Sequence, residues 1–331
     1  MIRTITPSDL WSLRRKPRYQ QVLYTERLLA YSHRPLWFAV QSMLAGNHRE
    51  RTTLVLAERG GFALVQAMGR RGRPEQDVIY LATNGTRSEH TPSDYELWFH
   101  LLHRLCADAA HHSVQRLYAA LPSQHNELRE IFRQVGFQVY THRHLFHLSG
   151  PDWDQGTRLA PMRLQAHRDH WAIHKLYGMS TPHLVQQAEV RNARHWTLHQ
   201  PYSFLRRQSW VLGPDDNLFA NLRLLSGPSG HVFSILIRPD VREQAVDVLR
   251  FGLAQLSDSR PVYLLLREYQ QELFEPAMRL GFQPVGEQTL LVKHTVVPIR
   301  RMVLTPSLEV GLEPRVSVRR YVLPPTVREE W

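Results

Sequence analysis

His231-Val232-Phe233-Ser234-Ile235-Leu236-Ile237-Arg238-Pro239-Asp240-Val241-Arg242 is the stretch on which the fold turns. Its opening apolar run, rich in β-branched and aromatic residues, predicts a buried strand from His231 to Ile237. Arg238-Pro239-Asp240 is a turn, and helical spacing then runs from Val241 to Leu256. Val262 to Leu266 predicts a second strand, Leu273 to Leu280 a second helix, and Pro284 to His294 a last strand after Gly281-Phe282. Strand, helix, strand, helix, strand over Gly230 to His294 implies an α/β layer arrangement. The turn after the first strand of such a unit is where a phosphate-bearing ligand meets helix N–H groups.

Upstream the same order occurs once before. Ile2 to Ile5 predicts a strand, and Pro7-Ser8-Asp9 a helix start. Two helical segments are expected between Tyr19 and Leu44, parted at Pro35, and Thr52 to Glu58 with Phe62 to Met68 read as a hairpin about Gly60-Gly61. Val78 to Ala82 predicts a strand, Asp94 to Ala110 a helix, and Leu117 to Leu121 a strand. Leu128, Ile131, Phe132 and Val135 mark a helix stopped by Gly136, and Gln138 to Leu148 the next strand. Beyond Pro151 come a strand at Arg158 to Met162, helices at Ala166 to Tyr177 and Leu184 to Asn192, and a pair of strands at Gln208 to Leu212 and Leu218 to Leu225. Val135-Gly136-Phe137-Gln138 matches Leu280-Gly281-Phe282-Gln283, and Ile79-Tyr80-Leu81-Ala82 takes the part of Ser234-Ile235-Leu236-Ile237. A repeat of domain size predicts two similar domains, 1–150 and 151–295, followed by a proline-punctuated extension at 296–331.

Composition bounds the function classes. The 331 residues are 43% hydrophobic, enough for two cores, and no apolar run reaches the length of a membrane span. The first residues lack the apolar core of a signal peptide, and a single cysteine, Cys106, excludes a disulfide framework, so a cytoplasmic protein without membrane contact is expected. Net charge is +11, carried almost wholly by arginine, yet the arginines are scattered and form no block. A nucleic-acid role is therefore the weakest of the classes weighed.

Each half resembles a GNAT-type acyltransferase domain, the fold of acetyl-CoA-dependent N-acetyltransferases. The marks that carry the resemblance are the two helix–Gly-Phe–strand endings and Pro239-Asp240-Val241-Arg242, which is similar to the family's turn after its fourth strand. The resemblance implies a mixed α/β sheet in tandem GNAT-like domains, with acetyl-CoA or another acyl-CoA as cofactor and a small-molecule or peptide amine as acceptor. It implies backbone of Leu236, Ile237 and Arg238 along the pantetheine arm, Arg242 and the turn at Ala245 at the pyrophosphate, and Leu81, Ala82 and Thr83 as the matching strand of the first half. The second glycine of the family's turn is Asp247 here, and the first half has no Gly-x-Gly between Asn84 and Ser93. Where the family places a tyrosine acid stand Phe132 and Ala277, so no catalytic residue is assigned; Tyr140 and Tyr269 lie nearby in sequence. An N-acyltransferase with at least one degenerate half, and a non-catalytic descendant that binds a ligand or partner, both fit these departures.

Other clusters carry less. His167, His170 and His174 share a helical face and His195 pairs with His199, but without a glutamate or cysteine among them no metal site is expected. Glu189 follows Thr181-Pro182 where a carboxylate could position an amine or act as base. Trp196, Tyr202, Phe204 and Trp210 could line an acceptor cleft or fill a core. Residues 296–331 suit a sheet-edge strand, an oligomer contact or a partner-binding tail.

Overall fold

Alternation of buried and exposed residues along the predicted strands becomes one continuous sheet in the computed structural model. It describes residues 2–14, 16–46, 48–58, 61–84, 94–150, 159–198 and 205–295. The elements are β1 (Ile2–Thr4), α1 (Asp9–Leu13), β2 (Tyr19–Val22), α2 (Glu26–Ala30), α3 (Pro35–Ala45), β3 (Arg51–Glu58), β4 (Gly61–Gly69), β5 (Glu75–Thr83), α4 (Asp94–His111), β6 (Arg116–Pro122), α5 (Asn126–Gln134) and β7 (Gln138–Leu148). They continue as β8 (Arg163–Leu164), α6 (Asp169–Ser180), α7 (His183–Glu189), β9 (Arg206–Leu212), β10 (Ala220–Gly227), β11 (Gly230–Ile237), α8 (Ala245–Ala254), β12 (Val262–Arg267), α9 (Phe274–Arg279) and β13 (Gln283–His294). The fold is mixed α/β: β5–β6 and β11–β12 are parallel, and every other pairing is antiparallel.

The strand order is β1-β3-β4-β5-β6-β13-β7-β12-β11-β10-β9-β8, with β2 added to β5. Its centre holds an exchange. β13, the last strand of the second half, lies between β6 and β7 of the first, while β7 pairs on its other edge with β12. Each half's final strand thus completes the sheet of the other. The side chain of Lys293 on β13 reinforces this, donating from Nζ to the Val135 carbonyl at the end of α5. Two apolar cores flank the exchange. One gathers α4, α5 and the inner faces of β3–β6 around Trp98 and Phe132; the other gathers α8, α9 and β10–β12 around Phe233 and Phe282.

Local chemistry repeats as the landmarks predicted. α5 and α9 both end on a left-handed glycine, Gly136 (φ 96°) and Gly281 (φ 86°). Phe137 N–H then bonds to Phe132 C=O, and Phe282 N–H to Ala277 C=O, closing the same C-terminal cap. A second correspondence lies near the start of each half. Arg3 grips Asp9 with both Nη atoms while Thr6 N–H donates to the same carboxylate, and Arg163 grips Asp169 with Ala166 N–H donating likewise.

Two expectations shift. Tyr19 to Val22 is a strand, not the start of a helix, because its backbone pairs with Tyr80–Thr83 of β5. The strand expected at Arg158 to Met162 forms as β8 at Arg163–Leu164, where it meets Trp210 and Val211 of β9. The turn at 85–93, Tyr202, Phe204 and the extension 296–331 lie outside the described residues.

Candidate functional site

Parallel strands that part leave unpaired backbone edges, and this happens twice. β5 and β6 pair only from Glu75–Arg116 to Asp77–Tyr118, and β11 and β12 only from His231–Val262 to Ser234–Leu265. In the first half the gap is filled. β2 takes the edge of β5 that faces away from β4, and Arg18 N–H and Leu23 N–H donate to Thr83 and Ile79 carbonyls. Leu81, Ala82 and Thr83, expected along a pantetheine arm, are therefore buried with β4 on one edge and β2 on the other.

In the second half no strand among the described residues enters. Gln270 Nε2 donates to Ile235 C=O at 2.9 Å, and Ser234, Ile235 and Leu236 face Leu265 and Arg267 across a pocket of about 60 Å³. Tyr269 and Tyr177 also line it. Of the residues expected at the cofactor, Leu236 reaches this pocket, while Ile237 and Ala245 are buried in the second core. The two cations are engaged elsewhere: Arg238 Nε donates to Asp240 at 2.9 Å, and Arg242 Nε lies 2.7 Å from Glu272. Ala245 is helical, so it needs no glycine, and Asp247 turns to Arg250 at 3.1 Å instead of toward the turn. Phe132 and Ala277, neither of which carries an ionisable group, are fully buried.

The small pocket opens beside a cavity of about 1110 Å³ at the centre of the sheet. Among the described residues that line it, eleven are arginines and only Glu26, Asp77 and Glu189 are acidic. The scatter of arginine along the chain does not survive folding. The signal lay in single arginines within apolar strands, as in Leu222-Arg223-Leu224 and Leu265-Leu266-Arg267. The outer wall carries His167, His170, Trp171 and His195, so the start of α6 borders this cavity, while His174 does not line it.

Its carboxylates are already engaged. Asp77 is bound by Arg70 through Nε and Nη2. Glu189 accepts from Tyr177 Oη at 3.1 Å, Arg191 Nε at 2.7 Å and Arg267 Nη2 at 2.8 Å. Burial pushes the Glu189 carboxyl up, but Arg191, Arg267 and Arg70 outweigh it and hold the group down at about 2. Glu189 is thus an ion-pair anchor, not the base considered from sequence. Behind the wall, buried Glu75 takes Arg73 and Arg116 at 2.8 and 2.7 Å. Burial raises the Tyr269 and Tyr177 phenols, which keeps both protonated near neutrality. On the far side of the first half, His48, Asp108 and His112 bring ligand atoms within 4.8 Å of one another, though their rings stack and His112 Nδ1 faces the Asp108 carbonyl at 2.8 Å.

No family model matches the chain. No curated protein matches it either. Among solved structures it is similar to a GCN5-related N-acetyltransferase from Sphaerobacter thermophilus, with TM-score 0.46, 12% identity, 90% of this chain covered and 96% of that one. A tandem GNAT protein from the clavulanic acid biosynthesis pathway gives TM-score 0.45 and 15% identity over 79% of this chain and 94% of that one. A conserved protein of unknown function from Staphylococcus epidermidis gives TM-score 0.47 and 11% identity over 73% and 94%. Likenesses this distant do not bear on what the cavity does, which rests on its own residues. No helix among the described residues is long and apolar enough to cross a membrane.

Proposed function

We propose that the chain is an acyl-CoA-dependent N-acyltransferase whose chemistry lies in residues 151–295, with 1–150 acting as a supporting half. The observation that carries this reading is the parting of β11 and β12 after Ser234 and Leu265, beside a protonated tyrosine and open to the central cavity. Acyl-CoA, when bound, supplies a thioester-activated acyl group. Backbone at Ile237, whose groups alternate onto the same edge as those of Ile235, would align its arm as an added strand. Leu236 and Leu265 would exclude water around it. Tyr269 is placed to give a proton to a leaving thiolate, a role that needs a phenol held in its neutral form. With the charges of Arg238 and Arg242 taken up by Asp240 and Glu272, backbone N–H groups of the turn from Pro239 to Gln244, rather than these side chains, would meet the phosphates. An amine acceptor would arrive through the cavity. In the first half, β2 lying in the equivalent gap supports a non-catalytic role.

Isothermal titration with acetyl-CoA, followed by thiol release with a panel of amines, tests this. One site per chain is expected, abolished by Leu236→Trp, and Tyr269→Phe should lower kcat by about 100-fold with binding intact. Absence of any binding heat or thermal shift at millimolar acetyl-CoA would overturn the proposal.

A further inference from the structure

The central cavity has more positive charge than its own carboxylates can meet. Arg207 on β9 and Arg223 on β10 are diagonal neighbours on one face of the sheet, because Arg223 stands opposite Ser209 and Arg207 opposite Leu225. Among the described residues neither has a carboxylate within ion-pair distance; Arg223 rests 5.6 Å over the Trp196 ring. A second pair lies further along the same face. Arg267 on β12 and Arg143 on β7 are direct partners in the antiparallel ladder, so two like charges face each other. Arg143 is held by neutral acceptors, Gln288 and the Tyr24 carbonyl, and Nη1 of Arg267 is buried with no partner. Burial, and then the neighbouring guanidinium, push Arg223 and Arg143 down to about 10. Among the described residues Glu26 is the sole carboxylate facing both pairs and touches neither closely, while Glu189 meets Arg267 alone of these four arginines, through Nη2 at 2.8 Å.

We propose that this cavity is a binding site for a small ligand carrying two or more phosphate groups, one at Arg207–Arg223 and another at Arg143–Arg267. Forked guanidinium donors match oxyanions. Two guanidiniums at each centre suit a phosphate, with three acceptor oxygens and up to two charges, better than a carboxylate. The nearest arginines of the two centres, Arg223 and Arg267, are two strands apart, roughly 10 Å, so a single phosphate cannot satisfy both. The volume of about 1110 Å³ accommodates such a molecule.

The probe is tripolyphosphate, titrated calorimetrically against orthophosphate at matched ionic strength. Tripolyphosphate should bind far more tightly than orthophosphate and raise the Tm. The double variant Arg207→Ala/Arg223→Ala should weaken it by about 100-fold, the loss of two charge-assisted contacts. Its ligand-free Tm should stay level or rise, because removing unpaired like charges relieves repulsion. A control that removes equal charge from the exterior, Arg133→Ala/Arg279→Ala, should leave the affinity almost unchanged. The proposal is overturned if the two double variants weaken binding equally, if orthophosphate binds as well, or if the ligand-free Tm of the inner double variant falls by several degrees. A single-stranded oligonucleotide that binds more tightly than tripolyphosphate and loses affinity in the same inner variant would replace it with a nucleic-acid site. Competition by CoA distinguishes a cofactor's own phosphates from a separate phosphorylated ligand, both of which keep the arginines as the seat. Failure of acetyl-CoA to bind would leave this test intact, since tripolyphosphate carries neither acyl group nor thiol.

Discussion

Glu189 joins Tyr177, Arg191 and Arg267 at the point where the small pocket meets the cavity, with only 4% of its side chain exposed. Replacing it by glutamine leaves two guanidiniums facing a neutral amide in a buried setting, and Glu189→Gln should cost about 3–5 kcal/mol at neutral pH. The sign of the pH dependence follows from the depressed carboxyl. Its folded value is about 2, against an unfolded value of about 4.3. The carboxylate's contribution is therefore complete above the unfolded value and fades as pH falls through the folded one. Urea titrations of wild type and variant should show a constant gap from neutrality to about pH 5 that narrows below it. A gap that persists unchanged to pH 2 would contradict the ion-pair role. From the sequence Glu189 was only one carboxylate on a helix. What makes it an anchor is Arg267, 78 residues away in the chain and 2.8 Å away in space.

At the scale of elements, β2 is the informative segment. Leu23 N–H bonds to Ile79, so alternation turns Gln21 toward Leu81 as well. Gln21→Pro removes that donor, and amide exchange at Leu81 and Thr83 should accelerate while β11 amides keep their protection. Equal acceleration in both strands would mean that β2 holds the whole sheet instead of one gap. The C-terminal caps give a second test. At Gly136 the backbone is left-handed, and an added Cβ would meet Lys293 Nζ at 2.8 Å. Gly136→Ala should therefore destabilise by about 1 kcal/mol or more in denaturant titration. Both glycines, the long helix α4 and most strands were legible, since their signals are local: an αL stop, a 3.6-residue period, a run of β-branched residues. Tyr19-Gln20-Gln21-Val22 was not legible. Nothing in those four residues distinguishes a strand from a helix, and the deciding partner is an edge of β5 some 60 residues later. The cavity was hidden for the same reason, because Arg143, Arg207, Arg223 and Arg267 sit on four strands that only the register brings together.

Across the molecule, the exchange of β7 and β13 ties the halves into one sheet. Residues 1–150 alone would lack the strand that lies on β6, and residues 151–295 alone would lack the one that lies on β12. Expressed separately, the halves should be insoluble or only partly structured. Co-expressed, they should copurify as a one-to-one complex with the chemical shifts of the intact chain. A well-dispersed monomeric NMR spectrum from either half alone would contradict this.

The same exchange sets a timetable for synthesis. The partner of Arg116–Pro122 is Gln288–His294, so the ribosome must add about 170 residues first, on the order of 10–30 s of elongation. Throughout that interval β6 has an unpaired backbone edge between apolar faces. Slower translation should therefore lengthen the exposure of this edge in proportion, and raise the aggregated fraction of the nascent chain.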